Sequence, residues 1–61
     1  MAQITCKELS AISDLLSAEE MMTAKYQHLA CTTTDSTLKN EYEQMAQRHR
    51  QHYDELFSHL K

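Results

Sequence analysis

Three residues of the kinds that bind metal ions or form polar networks are spaced so that they can meet. Glu19 lies in one apolar-striped segment, and His49 and His52 lie in a second. At about 100° per residue, Glu19 points within about 20° of the mean direction of the apolar side chains in its segment, which are Leu9, Ile12, Leu15, Leu16, Met22, Tyr26 and Leu29. His49 falls near the centre of the second stripe and His52 about 75° to one side, and this stripe consists of Leu38, Tyr42, Met45, Ala46, Tyr53, Leu56, Phe57 and Leu60. The spacing predicts a buried carboxylate that faces a buried imidazole.

Two kinds of chemistry suit such a trio. In the first, Glu19, His49 and His52 are metal ligands with Tyr26 as a neighbour, because two imidazoles three residues apart share one helix face and can bind one ion. In the second, the same groups form a metal-free polar layer that fixes how two helices align, as a core Asn does in coiled coils. His-x-x-His alone is a weak motif, and metal binding by the two histidines is favoured only because Glu19 is expected to face them. Both alternatives stay open at the level of sequence.

The elements that must position these residues are two helices. Thr5-Cys6-Lys7-Glu8 is a capping box, so we expect helix 1 to span about residues 6–31. Residues 32–37 are hydroxyl or capping residues that compete for backbone hydrogen bonds, which predicts a turn at 32–35. Asp35, or Thr34, then caps helix 2, which should span about 36–60. So short a connection makes the helices antiparallel neighbours, and the fold class is an all-α antiparallel two-helix hairpin.

The length of the chain limits what such a hairpin can be. Its 61 residues form one domain, 1–61, and a core of this size supplies only about 3 to 5 kcal/mol without a disulfide, a metal or a partner. Two helices side by side cover only one flank of each apolar stripe. We therefore expect a homodimer in which two hairpins form a four-helix bundle.

Charge and composition exclude several classes of function. The net charge of −3 and the absence of a basic run argue against a nucleic-acid partner. The Met1 to Cys6 stretch is short and polar, and no apolar run approaches about 18 residues, so we expect no export signal, no membrane span and a cytoplasmic location. There is no Gly-rich phosphate loop and no plausible catalytic triad, which predicts a protein that is not an enzyme.

The two cysteines have no obvious joint role. Cys6 and Cys31 would be about 38 Å apart on one helix at 1.5 Å per residue, which excludes an intrachain disulfide. Both thiols are expected to point roughly 150° away from the apolar stripe, toward solvent or a neighbouring molecule.

The residues also resemble a known superfamily. Leu15-Leu16-Ser17-Ala18-Glu19, followed by Tyr26, resembles the first helix of a ferritin-like, rubrerythrin-type hairpin, in which the Glu is a di-iron ligand and the Tyr packs beside it. The segment from Asp35 through Met45-Ala46-Gln47-Arg48-His49-Arg50-Gln51-His52 is similar to the Glu-x-x-His helix of that superfamily, with His52 at the histidine. The resemblance implies half of a four-helix bundle. The sequence departs from the family pattern at two positions. His49 stands where the family has a bridging Glu, and Ser36 stands where the family often has a proline.

The first departure changes the expected metal chemistry. A dimer would offer two Glu19 carboxylates and four imidazoles instead of the four carboxylates and two histidines that balance two divalent ions. A net charge of −2 matches one divalent ion or none, and imidazole favours zinc, copper or nickel over a bridged di-iron pair. Oxygen activation is therefore not expected.

A second resemblance concerns biological role. Lys7-Glu8-Leu9-Ser10-Ala11-Ile12, and the run from Ala46 through His52-Tyr53-Asp54-Glu55-Leu56, are similar to short spore-coat-like proteins of anaerobic Firmicutes related to the coat F family. This resemblance implies a structural role in the spore coat, with other coat or assembly proteins as partners. The sequence thus favours a structural or assembly protein without a cofactor. The alternative is a small metal-binding bundle that holds zinc or iron for storage, sensing or redox work.

Overall fold

The computed structural model describes residues 4–60, which form two helices packed against each other as a hairpin. α1 spans Cys6–Thr32 and α2 spans Ser36–Ser58, and the described part of the chain contains no strand. Residues 1–3 and 61, and with them the outer limits of the predicted 1–61 domain, lie outside the described residues. The hairpin measures 47 × 16 × 10 Å. Neither helix has a stretch that is long and apolar enough to cross a membrane.

α1 begins with the predicted capping box. The Thr5 hydroxyl accepts a hydrogen bond from the backbone N–H of Glu8 at 3.0 Å, and the Glu8 carboxylate accepts one from the backbone N–H of Thr5 at 3.4 Å. Two of the backbone donors that a helix start leaves unpaired are thereby satisfied. The capping box is confirmed, and it fixes the start of α1.

The connection between the helices is built from local hydrogen bonds. α1 continues through Thr32, one residue beyond the predicted end, and the Thr32 hydroxyl bonds back to the carbonyl of His28 at 3.1 Å. Asp35 is the N-cap of α2, since its Oδ1 accepts hydrogen bonds from the backbone N–H groups of Thr37 at 2.8 Å and Leu38 at 3.1 Å. The cap is therefore Asp35 and not Thr34, and with so short a connection α2 runs back along α1.

The far end of α2 differs from the prediction. The helix ends at Ser58 and not at residue 60. The backbone N–H groups of His59 and Leu60 bond to the carbonyls of Leu56 at 3.1 Å and Phe57 at 2.9 Å, so the last turn tightens to the three-residue spacing common at helix ends. Apolar periodicity continues to Leu60, which is why the sequence pattern did not reveal this ending.

The inner seam of the hairpin, meaning the positions where α1 and α2 touch, is shifted from the predicted one. The buried residues among those described are small: Thr23, Ala30 and Ala46. The predicted apolar stripes placed the larger residues Met22, Leu29 and Met45 toward the neighbouring helix, but these three side chains are only half-buried. Small residues allow the two backbones to approach closely, so the larger side chains lie to one side of the seam.

We call that side the open face. Residues seven apart lie along one line of a packed helix. One such line on α1 and one on α2 border the same side of the hairpin, and together they carry Leu15, Met22, Leu29, Leu38, Met45 and His52. Between them, from the seam itself, lie Ile12, Glu19, Tyr26, Tyr42, His49 and Leu56. The opposite side is mostly polar, with shallow depressions lined by Gln27, Glu43, Gln47 and Arg50 among others. The open face is therefore apolar along its length, whereas Leu9 and Phe57, which are 43% and 44% exposed, lie outside it near the ends of the helices opposite the turn.

The Asp35 cap gives a direct test of the hairpin geometry. Asp35→Ala removes the acceptor of two backbone N–H groups, and we expect it to lower the free energy of unfolding by about 1 kcal/mol. Thr34→Ala is the matched control, because Thr34 is exposed and makes no hydrogen bond among the described residues. Urea denaturation followed by circular dichroism measures both. A larger loss for Thr34→Ala than for Asp35→Ala would contradict the placement of the cap.

Candidate functional site

Glu19, His49 and His52 meet in the middle of the hairpin. Nδ1 of His49 lies 2.6 Å from Oε1 of Glu19, and Nδ1 of His52 lies 2.9 Å from Oε2 of the same carboxylate. Ligand atoms from all three residues lie within 4.8 Å of one another, which is close enough to hold one metal ion. Both oxygens of Glu19 are thus occupied by imidazoles of α2, and the three residues that the spacing singled out do come together.

Both helices hold this cluster in place. Glu19 lies near the middle of α1, where the Thr23 hydroxyl donates to the Glu19 backbone carbonyl at 2.8 Å. His49 and His52 lie one turn apart on α2, with ring centroids 6.0 Å apart and planes at 90°. A single carboxylate therefore bridges two imidazoles that differ in orientation, and each imidazole uses one carboxylate oxygen.

Tyr26 sets the orientation of the His49 ring. The two rings stack with centroids 5.7 Å apart and an angle of 6° between their planes, and Tyr42 packs against Tyr26 from the next layer at 6.1 Å. The sequence indicated Tyr26 as a neighbour of the cluster, but the stacking depends on side-chain torsions that residue spacing does not encode. Tyr26 therefore covers one face of the His49 ring and restricts its rotation, and Tyr42 packs against Tyr26.

The cluster is less buried than the sequence predicted. The side chains of Glu19 and His49 are 16% and 19% exposed, and that of His52 is 47% exposed. The predicted pairing of Glu19 with His49 is present, but its burial is only partial in the single hairpin. The reason is geometric, because one neighbouring helix covers only the inner flank of each side chain and leaves the cluster accessible from the open face.

The imidazoles stabilise the charged form of Glu19. The hydrogen bond from His49 holds the pKa of Glu19 below its ordinary range, burial acts in the opposite direction, and the electrostatic attraction of His49 and His52 lowers the pKa further. With an ionised carboxylate as acceptor, each Nδ1 is the donor. In a neutral imidazole that donates from Nδ1, Nε2 carries the lone pair, and neither Nε2 has a hydrogen-bond partner among residues 4–60.

Other candidate residues stay outside the cluster. His28 and His59 are exposed, and neither belongs to the group of potential ligands found in the described part of the chain. Cys6 and Cys31 are free and exposed, in agreement with the direction predicted for both thiols. The chemistry of the site therefore comes from one carboxylate and two imidazoles.

This donor set does not fit the di-iron pair that the ferritin-like resemblance implies. A bridged di-iron site requires carboxylates shared between two ions, and here the one carboxylate at the cluster is Glu19. His49, at the position of the expected bridging Glu, is a neutral donor and cannot replace that charge. A single ion that prefers nitrogen ligands is the group that these residues suit.

Comparison with known proteins identifies no relative from which a role can be transferred. No protein-family model, curated protein or solved structure matches the chain. A role for this chain therefore has to come from the chemistry of its own site and surface.

The Glu19–His49 contact should be the stronger of the two. His49→Ala leaves a partly buried carboxylate without its closest partner and should lower the free energy of unfolding by about 1 to 3 kcal/mol. His52→Ala should cost less because that ring is half exposed, and His28→Ala is the surface control. Replacing Glu19 and His49 together by Leu and Met should recover much of the loss. Thermal unfolding measures the stability of all four variants. If the losses caused by replacing Glu19 and His49 are near zero and simply add, the contact does not contribute to stability.

The lowered pKa of Glu19 predicts a specific acid sensitivity. A carboxyl whose pKa is lower in the folded state stabilises the fold above its unfolded pKa of about 4.3, and this contribution is lost as the pH falls through the folded value. Glu19→Gln cannot ionise, so its stability should vary less than that of the wild type below about pH 4.3. Glu20→Gln, an exposed neighbour, is the matched control and should retain the wild-type profile. Equal profiles for Glu19→Gln and the wild type in thermal melts from pH 3 to 6 would contradict the assignment.

Proposed function

We propose that this protein is a non-catalytic assembly protein that works as a homodimer, in which two hairpins join by their open faces into a four-helix bundle. The observation that carries the proposal is the open face itself. It combines a contiguous set of large apolar side chains, which gain free energy when they are covered, with a partly exposed Glu–His cluster whose groups already contact one another.

The apolar content of the open face argues for a partner. No large side chain among residues 4–60 is fully buried, while Leu15 is 52% exposed and Leu38 is 39% exposed. Met22 and Met45 lie between these leucines along the two borders, and both are half-buried. A continuous apolar surface of this kind, bordered by polar residues, is typical of a protein interface.

The total surface supports the same conclusion. The chain exposes 4930 Å², whereas a compact monomer of its mass, 7.1 kDa, exposes about 4,100 Å². The excess of roughly 800 Å² equals the area that each partner buries in a standard protein interface. The excess is therefore of the size that pairing with one further copy of the hairpin would bury.

A second copy is the partner that matches the open face best. The open face carries apolar side chains on both helices. A two-fold axis therefore places the apolar residues of one hairpin against those of the other. The outer margins carry Lys25, Glu41, Arg48 and Glu55, which lie on the outer side of the open face. Charges of both signs at these positions can pair across the interface, as in coiled coils. The sequence resemblance to spore-coat-like proteins supports a structural role for such a bundle, alone or with other coat proteins.

A second candidate function is a small metal-binding bundle. The observation that favours it is the Glu19–His49–His52 cluster, in which three potential ligands lie together and open toward the proposed interface. The two functions share the dimer and differ in whether the polar layer at its centre holds an ion.

Adjacent methionines provide a matched test of the dimer. Met22 lies on the open face, whereas Met21 is 67% exposed and points away from it. Met22→Glu introduces two charges at the centre of a two-fold interface, so its mass by light scattering after gel filtration should fall to that of one chain. Met21→Glu should remain dimeric at the same micromolar concentration.

The wild-type mass decides whether the proposal stands. A wild-type protein that unfolds cooperatively as a monomer of 7.1 kDa would contradict it. Loss of the dimer in Met21→Glu together with its retention in Met22→Glu would place the interface on the other side of the hairpin.

A further inference from the structure

The Glu19–His49–His52 cluster lies in the interior of the open face. On α1 the open face runs from Ile12 to Leu29, and Glu19 lies between them. On α2 it runs from Leu38 to Leu56, and His49 lies between them. The contact between Glu19 and His49 therefore has apolar layers of the open face on both sides along the hairpin.

This position determines what the cluster meets in a dimer. Two hairpins that pack face to face are related by a two-fold axis in the plane of the interface, either along the helices or across them. An axis along the helices places equivalent layers at the same height. An axis across the helices inverts the order of the layers, and the polar layer meets its own copy when the axis passes through it, which is the pairing that keeps a charged layer from facing an apolar one. In both cases the cluster of one protomer faces the cluster of its partner.

We propose that, in the homodimer proposed above, the two clusters form one shared site for a single divalent transition-metal ion that prefers imidazole ligands, of which zinc is the representative. The ligands are the imidazoles of His49 and His52 from both protomers. Glu19 is a positioning residue that holds both rings and supplies charge.

The hydrogen bonds support this division of roles. Glu19 accepts from Nδ1 of both imidazoles and leaves each Nε2 without a partner among residues 4–60. A carboxylate that binds one ring nitrogen while the other nitrogen binds metal is the usual arrangement around histidine ligands. His52, at 47% exposure, remains accessible to an ion from the open face.

The charges set the number and kind of ions. Two Glu19 carboxylates, one per protomer, balance the charge of one divalent ion and leave a second uncompensated. Four imidazoles favour zinc, copper, nickel or cobalt, whereas magnesium and calcium require oxygen ligands. We therefore expect one zinc ion per two chains and no response to magnesium.

The experiment measures zinc content and molecular mass on the same sample. Protein stripped with chelator is dialysed against zinc, and bound metal is determined by elemental analysis alongside light scattering. We expect half a zinc ion per chain, an unchanged dimer mass, and a melting temperature that rises with zinc but not with magnesium. His52→Ala, which should fold because its ring is half exposed, should lose the zinc uptake, and His28→Ala should retain it. Glu19→Gln should bind zinc about 10- to 100-fold more weakly.

Each alternative outcome has a separate meaning. A dimer that takes up no zinc overturns the shared site and leaves the assembly function intact. One zinc ion per chain, or equally tight binding by monomeric Met22→Glu, shows that a single hairpin completes the site and also overturns the inference. A monomeric wild type overturns the proposed function itself.

Discussion

Two helices can cover each other along one flank only, and the other features of the structure result from this constraint. The flank they share is lined by Thr23, Ala30 and Ala46, small side chains that let the helices pack closely. Close packing leaves the larger apolar side chains no room in the seam, so they extend to one side and create the open face. The single chain therefore has a small, well-packed interior and a large apolar surface. The stability of the fold depends on whether that surface is covered.

The Glu19 carboxylate marks one layer of the open face as polar and so determines how that face can align with a partner along the helix axis. A face made only of leucine and methionine could slide by one heptad against its partner at little cost, because each layer resembles the next. A carboxylate held by two imidazoles cannot be moved against a leucine without losing solvation and charge balance. In the dimer that we propose, the alignment in which the polar layers meet avoids this penalty. The lowered pKa of Glu19 has the same origin, since the imidazoles favour its charged form even where the solvent is partly excluded.

Much of this architecture could be predicted from the sequence because it depends on local chemistry. The capping box at Thr5 and the cap at Asp35 are short-range hydrogen bonds, and the meeting of Glu19 with His49 follows from helical spacing once the hairpin is assumed. The seam could not be placed correctly, because averaging directions over an apolar stripe locates its centre and not the flank that the neighbouring helix covers. For the same reason Glu19 and His49 were expected to be buried, whereas their side chains are 16% and 19% exposed in the single hairpin. The choice of Nδ1 over Nε2 depends on side-chain torsions and leaves no trace in residue spacing.

The use of Nδ1 also explains how one layer can serve both an assembly and a metal. If the imidazoles bound a metal through the nitrogens that now contact Glu19, the ion would have to break the contacts that align the helices. With Nδ1 bonded to the carboxylate, an ion bound at Nε2 adds to the layer and leaves its hydrogen bonds in place. On the Glu19 side the metal-free layer already has its contacts, so the dimer that we propose does not require the ion in order to form. Zinc bound to the proposed site would raise the stability of that dimer by mass action, and the same polar layer would then be a structural element at low metal concentration and a metal site at high concentration.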